Sequence, residues 1–221
     1  MAAFHPSPNN LPSEFPIFPL EGALLLPRGR LPLNIYESRY IAMTEDALSA
    51  GRMLGMVQPD HTAPSTPNGP GLFRVGCLGR LASFSETEDG RFLITLTGVT
   101  RFQIAREIET RRGYRRVEGD FTAFLDDLSF DPQPIGVKRE ALIAALRGYF
   151  ARRELEANWD AIRRIPDDML VVTLAMICPF EPVEKQALLE APTQAERGAA
   201  LLVLLQMGAM APDEPAGHSV S

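Results

Sequence analysis

The chain has 221 residues, of which 45% are hydrophobic and 23% are charged, a composition typical of a soluble globular protein. Its net charge of -6 argues against strong, sequence-independent binding to nucleic acid or to an anionic membrane, since both need clustered positive charge. The two cysteines, Cys77 and Cys178, form no CxxC pair, and we expect both to be buried, reduced thiols. The amino terminus lacks the features of a signal peptide, and no apolar run is long enough to cross a bilayer, so we expect a cytoplasmic protein.

The pattern of the sequence divides the chain into four parts. Residues 1–13 and 211–221 are polar and contain several prolines, and we predict that both are disordered tails. Residues 14–130 carry strand signals, and residues 131–210 carry helix signals. The sequence therefore predicts an α+β protein, with a β-rich subdomain followed by a helical one.

The first elements alternate between strand and helix signals. Phe15–Leu20 is a short apolar run with two prolines, as in an edge strand, and Leu31–Ile35 alternates apolar and polar residues. Ser38–Ala50 has helical spacing and is followed by a glycine, whereas Met53–Val57 returns to strand character. His61–Gly71 contains three prolines and two glycines and is predicted to be a loop.

Turn residues separate the next candidate strands at regular intervals. These strands are Phe73–Phe84, Arg91–Thr97, Arg101–Ile108 and Tyr114–Phe124. Asp89-Gly90 between the first two favours positive φ at both central turn positions, which makes this the clearest hairpin. Gly98 is predicted to separate the second strand from the third. Consecutive antiparallel strands of this kind predict a small curled sheet or barrel.

Helical spacing replaces strand alternation after Pro134. Met169–Ile177 is apolar around most of its circumference, so we predict a buried central helix there. Thr193 and Glu196 have the spacing of a capping box, in which each side chain bonds to the backbone of the other residue. An apolar helix is predicted to follow.

The sequence contains no recognisable catalytic, metal or cofactor motif. It has no glycine-rich phosphate loop followed by Lys and Ser or Thr, no GxSxG and no HExxH. The three histidines, His5, His61 and His218, lie in predicted tails or in the proline-rich loop, so none is placed to act as a base. We therefore predict no catalytic residue, no metal site and no cofactor.

Two lysines and two pairs of carboxylates are the remaining candidates for chemistry, and the pair Asp167-Asp168 follows Pro166 at a predicted helix start, where its charge offsets the helix dipole. Lys138 lies at a predicted helix start and Lys185 in a short amphipathic helix, and we expect both to be solvated. Asp126-Asp127 precedes the change of pattern and is also expected to be solvated.

One basic cluster stands out at a predicted hairpin tip. It consists of Arg111, Arg112, Arg115 and Arg116 around Tyr114. Such a tip could contact phosphates and stack on a base, could bind an acidic protein partner, or could be a solvated loop whose field is diluted by neighbouring carboxylates.

Several motifs resemble the amino-terminal, substrate-binding domain of Lon proteases. The segments FPIFPL at 15–20, LP at 26–27 and LPLNIYESRY at 31–40 follow the opening of that family. Further matches in the same order are Gly76, Asp89-Gly90-Arg91, Gly98-x-x-Arg101-Phe102, Glu184–Glu190 and Arg197. The resemblance covers residues 14–210, almost the whole predicted ordered chain.

The motif residues themselves are interpreted as structural. They are Pro19, Pro27, Pro32, Tyr36, Glu37, Arg39, Tyr40, Gly98 and Arg101. The prolines limit strand pairing, and Glu37 and Arg39 are expected to anchor the junction between strand and helix. Both tyrosines are expected to pack with their hydroxyls at the edge.

The resemblance implies a PUA-like antiparallel β pseudo-barrel followed by a carboxyl-terminal helical bundle. It also implies a non-catalytic module that binds unfolded or degron-bearing polypeptides, with Lon or another protease as the partner, because the ATPase and Ser–Lys protease parts of Lon are missing here. RNA binding through the Arg111–Arg116 cluster is the alternative.

An apolar triplet, Leu24, Leu25 and Leu26, is the candidate peptide-binding segment. It lies between Gly22 and Gly29 and is too apolar for a purely solvated loop. It could receive an extended peptide, or it could plug the barrel.

Overall fold

The computed structural model describes residues 7–210, so all of the second predicted tail and the first six residues lie outside the described part. Residues 7–13 belong to the fold, with a 3-10 turn at Pro8–Asn10. Leu11 packs against the core of the sheet. The first predicted tail was therefore too long, because an apolar side chain holds its second half on the protein.

Six strands form one sheet in the described chain. They are β1 (Glu14–Pro19), β2 (Arg30–Ile35), β3 (Met53–Val57), β4 (Val75–Glu86), β5 (Phe92–Arg111) and β6 (Tyr114–Asp120). Their order is β2-β5-β4-β3-β1-β6, and β5 also pairs with β6. This extra pairing closes strands β5, β4, β3, β1 and β6 into a ring, which confirms the predicted α+β pseudo-barrel. The β1–β3 pair is parallel, and the other pairs are antiparallel.

The interior of the ring is filled by apolar side chains from five strands. They are Phe15, Ile17, Met53, Val57, Leu78, Val99, Phe102, Ile104 and Val117. The rings of Phe15 and Phe102 meet edge to face with their centroids 4.8 Å apart, an arrangement that aromatic pairs favour.

Strand β5 runs without interruption through Gly98, so the prediction of two separate strands there was wrong. The register against β4 shifts between Leu78 and Gly79, which leaves Val99 as the extra residue of a bulge. A bulge bends a strand and increases its twist without ending it. As a result, the first part of β5 pairs with β2 and the second part with β6.

Strand β2 and the strand segments beside it extend past the ring. We call residues 30–35, 81–86 and 92–97 the β2 extension. It contains the β4–β5 hairpin predicted from Asp89-Gly90. Gly90 has a positive φ of 78°, but Asp89 does not have a positive φ, so the expectation of positive φ at both positions was wrong. In the described chain, β5 is the only strand that pairs with β2.

The helices are α1 (Ser38–Ser49), α2 (Arg139–Arg152), α3 (Trp159–Arg164), α4 (Asp167–Ile177), α5 (Pro182–Glu190) and α6 (Gln194–Met210). Strand β6 ends earlier than predicted, and a 3-10 segment, Thr122–Leu128, follows it. The capping box before α6 is confirmed, since Thr193 N–H donates to Glu196 Oε2 and Glu196 N–H to Thr193 Oγ1. No helix in residues 7–210 is long and apolar enough to cross a membrane.

The chain forms two compact units, and the division between them falls near the predicted boundary at residue 131, but a later segment returns to the first unit. The first unit is the chain up to Pro132 together with Val172–Glu190, and the second is Gln133–Val171 with the chain from Ala191 onward. The end of α4 and all of α5 therefore belong with the barrel, because α5 is tied to the strands by buried hydrogen bonds described below. In the second unit α2 packs on α6, where Gly208 leaves room for the ring of Tyr149.

Candidate functional site

The arginine cluster lies at the β5–β6 hairpin tip, as predicted, but its members do not face one common surface. Arg115 is buried, and its guanidinium is 2.5 Å from Glu107 Oε1 and donates to the carbonyl of Pro70. Arg116 donates to Glu14 Oε2 at 3.0 Å on the neighbouring strand. Both arginines therefore connect parts of the barrel unit.

The other members of the cluster converge on Asp46 of α1. Arg112 Nη1 and the Tyr114 hydroxyl donate to its two oxygens at 2.9 and 2.7 Å, and Arg111 Nε lies 3.3 Å away. Arg112 also donates to Glu45. The sequence did not point to Asp46, because a helical aspartate more than sixty residues before the hairpin carries no local signal of this contact.

The Asp46 contacts change the acidity of both partners. The hydrogen bond from Tyr114, followed by the hydrogen bond from Arg112 and the charges of Arg111 and Arg112, lowers the pKa of Asp46 below its ordinary 3.8. Burial, and then the bond to Asp46, raises the pKa of Tyr114 from 10.0 to about 12. The hairpin tip is thus fastened to α1 by a charged acceptor that stays ionised at neutral pH.

The three leucines of the candidate peptide-binding segment are buried. Leu24, Leu25 and Leu26 are each at most 1% exposed. Leu25 lies over Gly79, where an added Cβ would come within 2.7 Å of its side chain. No surface on these side chains is open to a peptide, and their burial is the outcome expected of the alternative, an apolar plug.

Gly98, a motif residue, is the point where this segment crosses the sheet. Its N–H donates to Gly29 O, and its carbonyl accepts from Arg28 N–H, both at 2.9 Å. A Cβ at this position would lie 2.0 Å from Leu26 O. Only glycine permits so close a backbone approach, which explains the position without any role in binding.

Arg101 is a buried anchor between β5 and two later segments. Its Nε and Nη2 bond the two oxygens of Asp127, both at 2.8 Å, and its backbone N–H donates to the same carboxylate. Its Nη1 donates to the carbonyl of Leu189 in α5. The side chains of Arg101 and Asp127 are only 5% and 10% exposed, so the prediction of a solvated Asp127 was wrong, while Asp126 is exposed.

A second buried polar group joins α5 to the strands. Gln58 donates to the carbonyl of Pro182 and to Gln186, and Gln186 donates to Val75 O. Lys185 is buried, contrary to prediction, and its Nζ donates to Gly22 O at 2.6 Å. Desolvation lowers its pKa. Lys138 is exposed, as expected.

The proline and junction motif residues differ in burial: Pro27 is buried, Pro19 is half-buried, and Pro32, Glu37 and Arg39 are exposed. Pro19 ends β1, Pro27 lies beside Gly98, and Pro32 lies within β2. Arg39 Nε donates to Glu37 Oε2 at 3.0 Å in an exposed ion pair, and the Arg39 guanidinium lies 4.6 Å from the centroid of the Tyr40 ring. A charge-assisted hydrogen bond is therefore present at the junction, but it is local and exposed.

The two motif tyrosines have different environments. Tyr40 is buried and its ring lies 4.2 Å from that of Phe18. Tyr36 is 66% exposed, which overturns the expectation that it packs. Tyr36 follows the last residue of β2 and lies beyond the last register pair with β5, Ile35 with Phe92.

The β2 extension, together with Tyr36 directly after it, carries several exposed apolar side chains beside an open strand edge. Tyr36, Phe84 and Leu93 are exposed, and Leu31 and Leu33 are half-buried. Leu93 lies opposite Asn34, on the same face as Tyr36. Phe84 lies on the other face, where its ring contacts that of Phe92. Both faces of the extension therefore present apolar surface.

Backbone groups of β2 are available along its outer edge. The Gly98–Gly29 hydrogen bond sets the alternation, so the odd-numbered residues of β2 point their backbone groups toward β5. Arg30, Pro32 and Asn34 then point theirs outward. Pro32 has no N–H to offer, which is the usual place for proline in an edge strand.

Residues 7–210 contain no group of three or more His, Cys, Asp or Glu side chains placed to hold a metal ion. Both cysteines are buried and neither forms a disulfide.

Comparisons with known proteins agree with this architecture. Residues 14–207 match the family described as the ATP-dependent protease La (LON) substrate-binding domain. A crystal structure of a Lon N-terminal domain protein from Xanthomonas campestris has a TM-score of 0.58 at 20% identity, covering 86% of this chain and 97% of that one. The N-terminal domain of a Mycobacterium avium complex Lon protease has a TM-score of 0.55 at 17% identity, covering 87% of this chain and 97% of that one.

Curated relatives are much longer than this chain. Lon protease 1 of Bdellovibrio bacteriovorus is 27% identical over 86% of this chain and 24% of its own length. Lon protease 2 of Thermus thermophilus is 26% identical over 89% of this chain and 24% of its own. The chain thus spans about a quarter of these relatives, and the family match extends over nearly all of its described residues. It belongs to the Lon substrate-binding domain family.

Proposed function

We propose that this chain binds exposed apolar segments of unfolded or degron-bearing polypeptides, and that the β2 extension is the binding surface. The observation that carries the proposal is that Tyr36, directly after β2, and Leu93, on the neighbouring β5, are exposed beside the outer edge of β2, while Phe84 is exposed on β4. Apolar side chains beside an unpaired strand edge are what an extended peptide needs, because the edge supplies backbone hydrogen bonds and the side chains supply contact area. Membership of a substrate-binding family supports a polypeptide ligand.

The side-chain contribution is tested with fluorescein-labelled casein, a disordered polypeptide, by fluorescence anisotropy. Replacing Tyr36 and Leu93 with Ser should weaken binding about tenfold or more, since each 1.4 kcal/mol is a factor of ten. Val183→Ser is the control, because Val183 is 68% exposed and lies on α5, outside the β2 extension. Equal affinities for the wild type and the double variant would reject this surface.

The contribution of the strand edge is tested by two substitutions of opposite sign. Asn34→Pro removes an outward N–H and should weaken binding, whereas Pro32→Ala adds one and should strengthen it. Neither change removes a hydrogen bond to β5. If both variants bind casein as the wild type does, the polypeptide does not pair with β2.

We propose that the chain does not cut the polypeptide and that Lon or another protease does. Casein incubated with the pure chain, with and without ATP, should remain intact on a gel. Cleavage that survives further purification would contradict this part of the proposal.

RNA binding has weaker support. Each arginine of the Arg111–Arg116 cluster has a carboxylate within 3.3 Å, which reduces the positive field that phosphates need. A shift of labelled RNA by the wild type at low salt, lost when all four arginines become Ala, would favour this alternative.

A further inference from the structure

The outer face of α6 lacks the charge that an exposed helix face normally carries. From Gly198 to Met210 the helix contains no charged residue. Val203, Met207 and Met210 are between 51% and 82% exposed. Large apolar side chains exposed in a contiguous stripe mark interaction surfaces in soluble proteins.

These residues form one stripe because of their spacing. Positions 203, 207 and 210 follow the i, i+4, i+7 pattern that places side chains on the same face of a helix. Ala199 and Gln206 are exposed on the same face, and Gln206 is its single polar side chain between residues 198 and 210. The opposite face carries the buried Leu201 and Leu205, which belong to the core of the second unit.

The helix that packs against α6 shows what an ordinary outer face looks like. The exposed residues of α2 include Glu140, Arg147 and Arg152. The two helices belong to the same unit and pack against each other. The absence of charge is therefore specific to α6 and is not a property of the unit.

We propose that the outer face of α6 is the interface between two copies of this chain, related by a two-fold axis with the two helices antiparallel. A neutral, apolar stripe is complementary to another neutral, apolar stripe, and the second copy supplies one. This interface is distinct from the β2 extension and does not depend on the proposed function.

The size and charge of the stripe fit this arrangement. Thirteen helical residues extend over roughly 20 Å, and two such faces with their flanks bury on the order of 1,000 Å², the lower limit for a specific interface. Glu196 lies at one end of the exposed face. An antiparallel crossing keeps the two copies of Glu196 at opposite ends, whereas a parallel one brings these like charges together.

The test is the mass of the full chain in solution, measured by light scattering during size-exclusion chromatography. The wild type should have twice the monomer mass of 24.3 kDa, and the double variant Val203→Glu, Met207→Glu should be monomeric. Val183→Glu, at a valine that is even more exposed than Val203, should remain dimeric. Far-UV circular dichroism of each variant shows that it is folded.

A cysteine at the centre of the stripe gives a second measurement. The native cysteines are buried, so Gln206→Cys should form a disulfide-linked dimer under mild oxidation, and Glu140→Cys on α2 should not. A monomeric wild type, or a dimer that persists in the double glutamate variant, would overturn the proposal.

Discussion

The middle of β5 and its carboxyl-terminal end both use arginine–aspartate contacts, yet water reaches the two regions to very different extents. Arg101 and Asp127 in the middle are almost fully buried, with two parallel bonds of 2.8 Å. At the hairpin tip Arg111 and Arg112 are about half exposed or more, and they share Asp46. Burial decides how much such a contact matters, because a buried charge that loses its partner has no water to replace it.

Removing Arg101 should have the largest effect. Arg101→Ala leaves Asp127 buried without its counter-charge, and we expect the free energy of unfolding to fall by about 3–5 kcal/mol. Urea unfolding followed by far-UV circular dichroism measures this loss. The single tryptophan, Trp159, lies in the second unit, and its fluorescence follows that unit separately.

Arg106→Ala is the matched control for this change. Arg106 pairs with Glu118 on the exposed side of the same strand, and its removal should lower the free energy of unfolding by about 0.5 kcal/mol or less. Similar losses in the two variants would break the contrast between buried and exposed pairs.

A methyl group at Gly98 should have the next largest effect. Gly98→Ala forces the backbone of Leu26 away from the middle of β5, and we expect a loss of about 2–3 kcal/mol. Gly148→Ala serves as the control, because its Cβ would meet only Ala209 at an ordinary 3.4 Å. That control, within α2, should be neutral or slightly stabilising. An unchanged urea midpoint for Gly98→Ala would mean that the segment 24–29 can move away from β5 without loss of stability.

At the hairpin tip, Asp46→Ala should lower the free energy of unfolding by about 1–2 kcal/mol. The loss comes mainly from the buried Tyr114 hydroxyl, which is left without its acceptor. Glu45→Ala, one position away, removes an exposed ion pair with Arg112. This change should lower the free energy of unfolding by about 0.5 kcal/mol or less. Equal losses of unfolding free energy in both variants would show that the hydrogen bond from Tyr114 to Asp46 does not stabilise the hairpin tip.

The same contact should make stability depend on acid pH. Because the pKa of Asp46 is lower in the folded protein than its ordinary 3.8, the unfolded chain binds this proton first as the pH falls. The contribution of Asp46 to the free energy of unfolding is fully present above the ordinary pKa of 3.8. It is lost as the pH falls through the lower pKa of the folded protein. The difference in unfolding free energy between the wild type and Asp46→Asn should shrink over this range, and a constant difference would contradict the pKa shift.

The smallest effect is expected in alkali. Folded Tyr114 holds its proton up to about pH 12, against 10.0 for an ordinary tyrosine, so unfolding becomes more favourable as the pH rises between these values. Tyrosinate absorbance is measured against pH for the wild type and for Tyr114→Phe. The difference between the two curves is the titration of Tyr114, and it should be centred well above pH 10. A difference curve centred near pH 10 would contradict the bond to Asp46.

Local patterns in the sequence predicted the elements well, because they depend on neighbouring residues. Alternation marked β2, the Asp89-Gly90 turn marked the long hairpin, and Thr193 with Glu196 marked the start of α6. The continuity of β5 was not predicted, because the sequence does not distinguish a glycine that ends a strand from a glycine that permits another segment to cross close to the strand.

Contacts between distant segments could not be predicted in this way. Asp127 and Lys185 were both expected in water, and each is buried by a partner far along the chain. The triplet Leu24–Leu26 allowed two interpretations, because apolar side chains look alike whether they fill an interior or cover a surface. The exposure of Tyr36 likewise depends on which distant segments pack near the end of β2, and the local sequence does not show this.

The closure of the ring has a consequence for folding during synthesis. Strand β1 completes the barrel only when it pairs with β6, as in the Glu14–Glu118 register pair, so the earliest strand waits for the last. At about 5–20 residues per second on the ribosome, β1 spends several seconds without that partner. Pro16 and Pro19 lie within β1 and remove two of its backbone donors, which limits pairing with the wrong chain during this interval.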